Sequence, residues 1–220
     1  MAELRLENVR YRYKNARIDA LKDISASFTS GGLFSIVGPS GSGKTTLLSI
    51  LAGLDTPIAG GVTVNGQNIF NYDLDYYRRE QVSMIFQAFH LFPLLTAVEN
   101  VCYPMIMNGQ SKKESTIKAA TLLESVGINA EKHKRYPANL SGGEQQRVAI
   151  ARALSTNARI LLADEPTGNL DTANGNAVID ILRKLAHENN YCVIIVTHNL
   201  EIADASDVVY RMSDGMIMKG

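Results

Sequence analysis

The residues best equipped for chemistry stand in one short run, GPSGSGKT, residues 38–45. It fits G-x-x-x-x-G-K-[ST], the Walker A pattern, and lies between an apolar strand-like segment and a helical one, the context that pattern requires. Gly38, Gly41 and Gly43 let backbone amides approach phosphate oxygens with no Cβ in the way, and Pro39, Ser40 and Ser42 fill the loop between them. Lys44 places a point charge on the β- and γ-phosphates of a nucleotide. The Thr45 hydroxyl suits a Mg²⁺ ion, and Thr46 follows it at the helix start. A glycine-rich turn with a purely structural purpose would leave the Lys-Thr pair unexplained.

A second run, RILLADEP at 159–166, pairs with the first. Its apolar residues read as a buried strand, and Asp164 emerges at the C-terminal end, where open α/β sheets bind ligands. Asp164 can hold Mg²⁺ through water. Glu165, a second carboxylate beside the metal, can accept a proton from an attacking water. Simple solvation of an acidic pair is the plainer reading, and the phosphate loop argues against it.

The third run, LSGGEQQRVAIARAL at 140–154, opens a helix with two glycines. Ser141 and Glu144 have capping-box spacing, which accounts for both. Gly142 and Gly143 each cost up to about 1 kcal/mol relative to alanine in a helix. They leave bare amides at the positive end of the helix, where an anion can bind.

The surrounding elements must position these groups. Segments 4–13, 33–38, 82–86, 159–163, 192–197 and 207–212 read as strands, the first with a slip near Glu7–Asn8. Val62 and Val64 followed by Asn-Gly signal a hairpin within 60–69. Segments 45–54 and 176–186 read as helices, with Gly53 at the end of the first. From 96 to 126 the pattern is helical, with Ser111 and Glu114 at capping-box spacing and a stripe of Ala119, Leu122, Leu123 and Val126. Alternating strands and helices predict an α/β fold with a mainly parallel sheet.

Composition narrows the partners. The 220 residues are 45% hydrophobic, enough for a sizeable core, and 22 basic residues balance 22 acidic ones. That balance gives no general attraction to nucleic acid, and no nucleic-acid partner is expected. Cys102 and Cys192 lie far apart and form no C-x-x-C pair, so both are expected to be buried and reduced. Charges at Glu3, Arg5 and Glu7 argue against a signal peptide, and no apolar run is long enough to cross a bilayer. A soluble, cytosolic chain is expected, with any membrane part supplied by another subunit.

Four further features resemble the ATP-binding cassette family over nearly the whole chain. Gln87 follows the strand VSMIF as the family's Q-loop glutamine does, and LSGGE at 140–144 looks like its signature motif. NLD at 169–171 resembles the D-loop, with Asp171, and His198 after CVIIVT resembles the switch histidine. Tyr13 matches the aromatic residue that stacks on adenine, with Tyr11 a close competitor. The resemblance implies a P-loop core with an N-terminal antiparallel β subdomain and an inserted helical subdomain. The core would span about 1–86 and 157–220, and the helical part about 87–156.

It also implies a head-to-tail homodimer in which each ATP lies between the Walker A loop of one chain and the signature of the other. Ser141 and the amides of Gly142 and Gly143 would then hold the γ-phosphate of the partner's ATP. Thr45, Gln87 and Asp164 would hold the metal and its waters, Glu165 would polarise the attacking water, and His198 would contact the γ-phosphate. His90, His133 and His187 have no such support and read as structural.

Segments 87–101 and 163–171 are similar to the ATPases of the macrolide-exporter and lipoprotein-release group. That similarity implies an integral membrane permease as partner and a peripheral position on the inner face of the cell membrane. Phe89, Leu91, Phe92, Leu94 and Leu95 either meet the permease or pack the helical subdomain's own core. The sequence ends with DGMIMKG at 214–220, so no C-terminal regulatory domain is expected. The rival reading is a soluble cassette ATPase acting on DNA or ribosomes. A long coiled-coil insertion, a second cassette or zinc-binding cysteines would mark it, and none is present. A P-loop kinase or GTPase would leave LSGGE unexplained, and no N-K-x-D guanine-reading motif occurs.

Overall fold

The computed structural model describes residues 2–71 and 73–219. In chain order the first half holds β1 (Glu3–Tyr11), β2 (Leu21–Thr29), β3 (Leu33–Val37), α1 (Lys44–Leu51), β4 (Ala59–Val64), β5 (Gln67–Asn68), α2 (Leu74–Glu80) and β6 (Val82–Ile85). Then come α3 (Ala97–Met107), α4 (Lys112–Ser125), α5 (Gly142–Leu154), β7 (Ile160–Asp164), α6 (Thr172–His187), β8 (Cys192–Thr197), α7 (Leu200–Asp204), β9 (Val208–Ser213) and β10 (Met216–Lys219).

Two sheets result. The larger has the order β10-β9-β3-β8-β7-β6 and is parallel from β9 to β6, with β10 antiparallel at its edge. The smaller is antiparallel, β2-β1-β4-β5. This is the expected α/β architecture with an antiparallel β subdomain and a helical region.

Strands β3, β7 and β8 are mostly apolar, with Ser35 inside β3 and Asp164 and Thr197 ending β7 and β8, because both faces of the large sheet are covered. Cys192, Ile194 and Val196 face a core shared with α1 and the small sheet. Val193 and Ile195, one residue out of phase, face a second core shared with α3, α4, α5 and α6. Both cysteines are buried and free, and burial pushes the Cys192 thiol up to about 12.

Several expectations hold at residue level. The slip in β1 is real: the register shifts between Leu6 and Val9, and Asn8 has φ 49°. Asn65 and Gly66 both have positive φ, as the tight turn between β4 and β5 requires. The run from 96 to 126 is two helices, not one. It breaks at Asn108–Gly109, where the α3 end is closed by backbone bonds from Asn108, Gly109 and Gln110.

Candidate functional site

The phosphate loop joins the end of β3 to the start of α1. Gly43 caps α1 at φ 107°, a conformation that excludes a side chain, and an added Cβ would stand 2.8 Å from the Ala20 carbonyl. Lys44 Nζ donates to the Gly38 carbonyl at 2.7 Å and the Pro39 carbonyl at 3.0 Å, which fixes the ammonium over the loop. The loop forms one wall of a cleft of about 700 Å³ that is also lined by Tyr13, Ala20, Glu165 and His198.

Tyr13 and Tyr11 point to different partners. The Tyr13 ring is half exposed on the cleft, and its hydroxyl shares a hydrogen bond with Thr46 Oγ1 at 2.7 Å. Tyr11 turns away and donates to Asp55 Oδ1 at 3.0 Å. The two rings meet edge to face, with centroids 5.0 Å apart, so Tyr11 braces Tyr13.

Asp164 ends β7, and Glu165 follows with φ 45°, a strained conformation for a residue with a side chain. Its amide is held by the Val196 carbonyl at 2.9 Å, and its carboxylate accepts from Thr197 Oγ1 at 2.9 Å. The second carboxylate oxygen lies 2.8 Å from His198 Nδ1. Thr197, unnoticed in the sequence, is the last residue of β8 and directly precedes His198. Burial raises the Asp164 carboxyl above its usual range, the Glu165 charge raises it further, and Lys44 opposes both. Two crowded acids beside a hydroxyl-bearing helix start fit a divalent cation. Among the described residues no group of three or more His, Cys, Asp and Glu forms a metal site by itself.

Gln87 does not line the cleft. Its amide donates to Asn169 Oδ1 at 3.2 Å, and Asn169 Nδ2 returns a bond to the Gln87 carbonyl at 3.0 Å. The three remaining histidines have local partners: His133 the Ile128 carbonyl, His187 the Asp207 carboxylate and His90 the Phe86 ring.

Residues 141–144 lie outside the cleft. Both halves of the capping box form: Ser141 N donates to Glu144 Oε2 at 2.8 Å, and Glu144 N donates to Ser141 Oγ at 3.3 Å. Lys132 Nζ, 2.6 Å from Glu144 Oε1, and the Ser141 amide hold that carboxyl below its usual range. The box satisfies the first and fourth amides of the turn, and those of Gly142 and Gly143 have no partner among the described residues. A Cβ on Gly143 would overlap Asn174, with Asn174 Cβ only 2.9 Å away, whereas at Gly142 the nearest atom is 3.5 Å away. Asn174 is itself fixed, its amide and Nδ2 both donating to Asp171, the cap of α6.

A strand-to-helix phosphate loop, an acidic pair ending the next strand but one in the sheet, and a separate glycine-opened helix define a P-loop nucleotide-binding ATPase. A family model described as ABC transporter matches residues 21–168. The chain belongs to the ABC transporter family and is an ATP-binding, ATP-hydrolysing cassette.

It is 42% identical to the lipoprotein-releasing system ATP-binding protein LolD of Legionella pneumophila, over 94% of this chain and 92% of that protein. It is 44% identical to the macrolide export ATP-binding/permease protein MacB of Pectobacterium atrosepticum, over 98% of this chain and 34% of that longer one. The solved dimer of the ATP-binding cassette MJ0796 with ADP and Pi has a TM-score of 0.89 and 38% identity, covering 99% of this chain and 97% of that one.

Proposed function

We propose that two copies of this chain close head to tail on ATP and drive a separate membrane permease of the macrolide, peptide or lipoprotein extrusion type. The carrying observation is the separation of the two phosphate-binding features. Lys44 lies in the cleft, while the half-buried Gly142 and the buried Gly143, whose amides have no partner among the described residues, start α5 outside it. Each is half a site, and a second copy supplies the missing half.

In this reading Tyr13 stacks on adenine, and the loop from Gly38 to Thr46 wraps the phosphates with Lys44 as counter-charge. Thr45, Asp164 and Gln87 hold Mg²⁺, which neutralises phosphate charge. Gln87 exchanges its Asn169 partner to do so. Glu165 orients the attacking water and takes its proton, with Thr197 and His198 fixing the carboxylate. His198, 72% exposed, stands where it can also meet the γ-phosphate.

The permease reading rests on names and on surface. Among the described residues no helix is long and apolar enough to cross a membrane. Phe92, Leu94, Tyr103 and Met107 are nevertheless exposed around the start and length of α3, and Leu94 is 87% exposed. Leu91 packs against the core, while Phe92 and Leu94 in the same apolar run are exposed. Such a surface suits a short permease helix and a peripheral position at the membrane.

Purification with intact membranes should retain an integral membrane subunit. Leu94→Asp should release it while ATP hydrolysis by the isolated cassette persists. Recovery of nucleic acid or ribosomes in place of a permease would overturn the transport reading.

A further inference from the structure

Gln146 lies on α5, one turn beyond Gly142, and is fully buried. Its Nε2 donates to the Pro166 carbonyl at 2.8 Å, while its Oε1 is buried with no partner among the described residues. An apolar side chain of similar shape would remove the orphan Oε1 but leave the buried Pro166 carbonyl without a donor, so the amide is kept for its grip on Pro166. The unpartnered Oε1 beside that grip is what packing alone does not explain.

The position of Pro166 gives that grip a function. It follows Glu165 directly, and Glu165 is strained at φ 45°. The segment 165–171 is gripped by α5 at both ends. At its start Gln146 holds Pro166, and at its finish Gly143 packs against Asn174, which binds Asp171. The helix that offers its amides to the partner's phosphate therefore also holds the backbone that carries this chain's own proton acceptor.

We infer that Gln146 is a positioning residue for Glu165: through Pro166 it makes the stance of that carboxylate depend on the seating of α5 against phosphate. The inference rests on the proposed composite sites and adds a within-chain link between them. Seating one ATP against α5 aligns the carboxylate that attends the other.

The test uses Gln146→Met, which keeps the length and loses the donor, with Gln146→Leu as a second apolar variant should Met pack badly. Each should fold with a melting temperature close to wild type, since the orphan Oε1 is removed while the buried Pro166 carbonyl loses its donor. Monomer ATP affinity should stay within about twofold of wild type, and in a Glu165→Gln background ATP should still drive dimer formation. Turnover should fall on the order of tenfold with KM unchanged. Because the effect passes through Glu165, Gln146→Met should not slow the residual hydrolysis of Glu165→Gln further, the non-additivity expected of residues acting as a unit. Unchanged turnover, a loss that follows weaker dimerisation, or full additivity with Glu165→Gln would each overturn the inference. If the wild-type chain showed neither ATP-driven dimer nor hydrolysis, the composite-site reading would fail first and take the inference with it.

Discussion

At Gly143 the space for a Cβ is already taken by Asn174, while at Gly142 it is open. Spacing alone made the two glycines equivalent, because no sequence pattern places a residue on α6 against the first turn of α5. The difference predicts different failures. Gly143→Ala forces Asn174 off its Asp171 partner and should cost about 1–3 kcal/mol in spite of better helix propensity. Asn174→Gly in the same chain, which removes the Asn174 Cβ as well, should recover part of it in a thermal melt. Gly142→Ala should leave the melting temperature level or higher, yet weaken ATP-driven dimerisation, because the methyl group stands beside the free amides. Glu165 predicts a third outcome. Glu165→Gln removes the proton acceptor and keeps the shape, so hydrolysis should fall about 10²–10⁴-fold. Size-exclusion chromatography with ATP should show an accumulated dimer. Unaltered turnover would end the role given to Glu165.

Elements were legible where one face rule governed them. Strands buried on both sides read as continuous apolar runs, and Asn-Gly marked its hairpin. β2 was not legible, because its buried residues Leu21, Ile24 and Phe28 are spaced three and four apart. Asp23 at φ 52° and the register shifts against β1 break the alternation that reveals a strand. Capping was legible at Ser111 and Ser141 but not at Thr96 or Asp171, and it carries a pH dependence. Glu99 is lowered by the Thr96 hydroxyl and amide at the start of α3, and Glu144 by Lys132 and the Ser141 amide at the start of α5. Asp171 is lowered by the Asn174 amide and side chain at the start of α6. Groups depressed in the folded state stabilise it above their unfolded pKa, near 4, and lose that contribution as pH falls through the folded value. The melting temperature should therefore drop between about pH 5 and 3. Glu144→Gln should be less stable than wild type at pH 7, and the gap should close at the acidic end. A gap independent of pH would show that the carboxylate charge is not what secures the helix.

At the scale of the molecule, the question is whether residues 141–144 serve as a cap or as half of a binding site. Both halves of the capping box form, so capping is real, but among the described residues the Gly142 and Gly143 amides have no partner. Ser141→Arg removes the cap hydroxyl, at about 1 kcal/mol, and puts a bulky side chain at the exposed mouth of the helix. The cleft around Lys44 lies elsewhere in the chain and stays intact. The variant should bind ATP as a monomer almost normally, fail to dimerise and lose most hydrolysis. Lys44→Ala should do the reverse, losing ATP binding through the loss of the loop's only charge. Mixing the two inactive chains then tests the geometry of assembly. In the mixed dimer one site joins the intact phosphate loop of the Ser141→Arg chain to the intact helix end of the Lys44→Ala chain. Partial return of hydrolysis is expected, because neither defect lies in that site and misfolding of either chain could not be rescued by mixing. A folded Ser141→Arg protein that dimerises on ATP and turns over at the normal rate would reduce the two glycines to a helix start, and the head-to-tail arrangement would lose its physical basis.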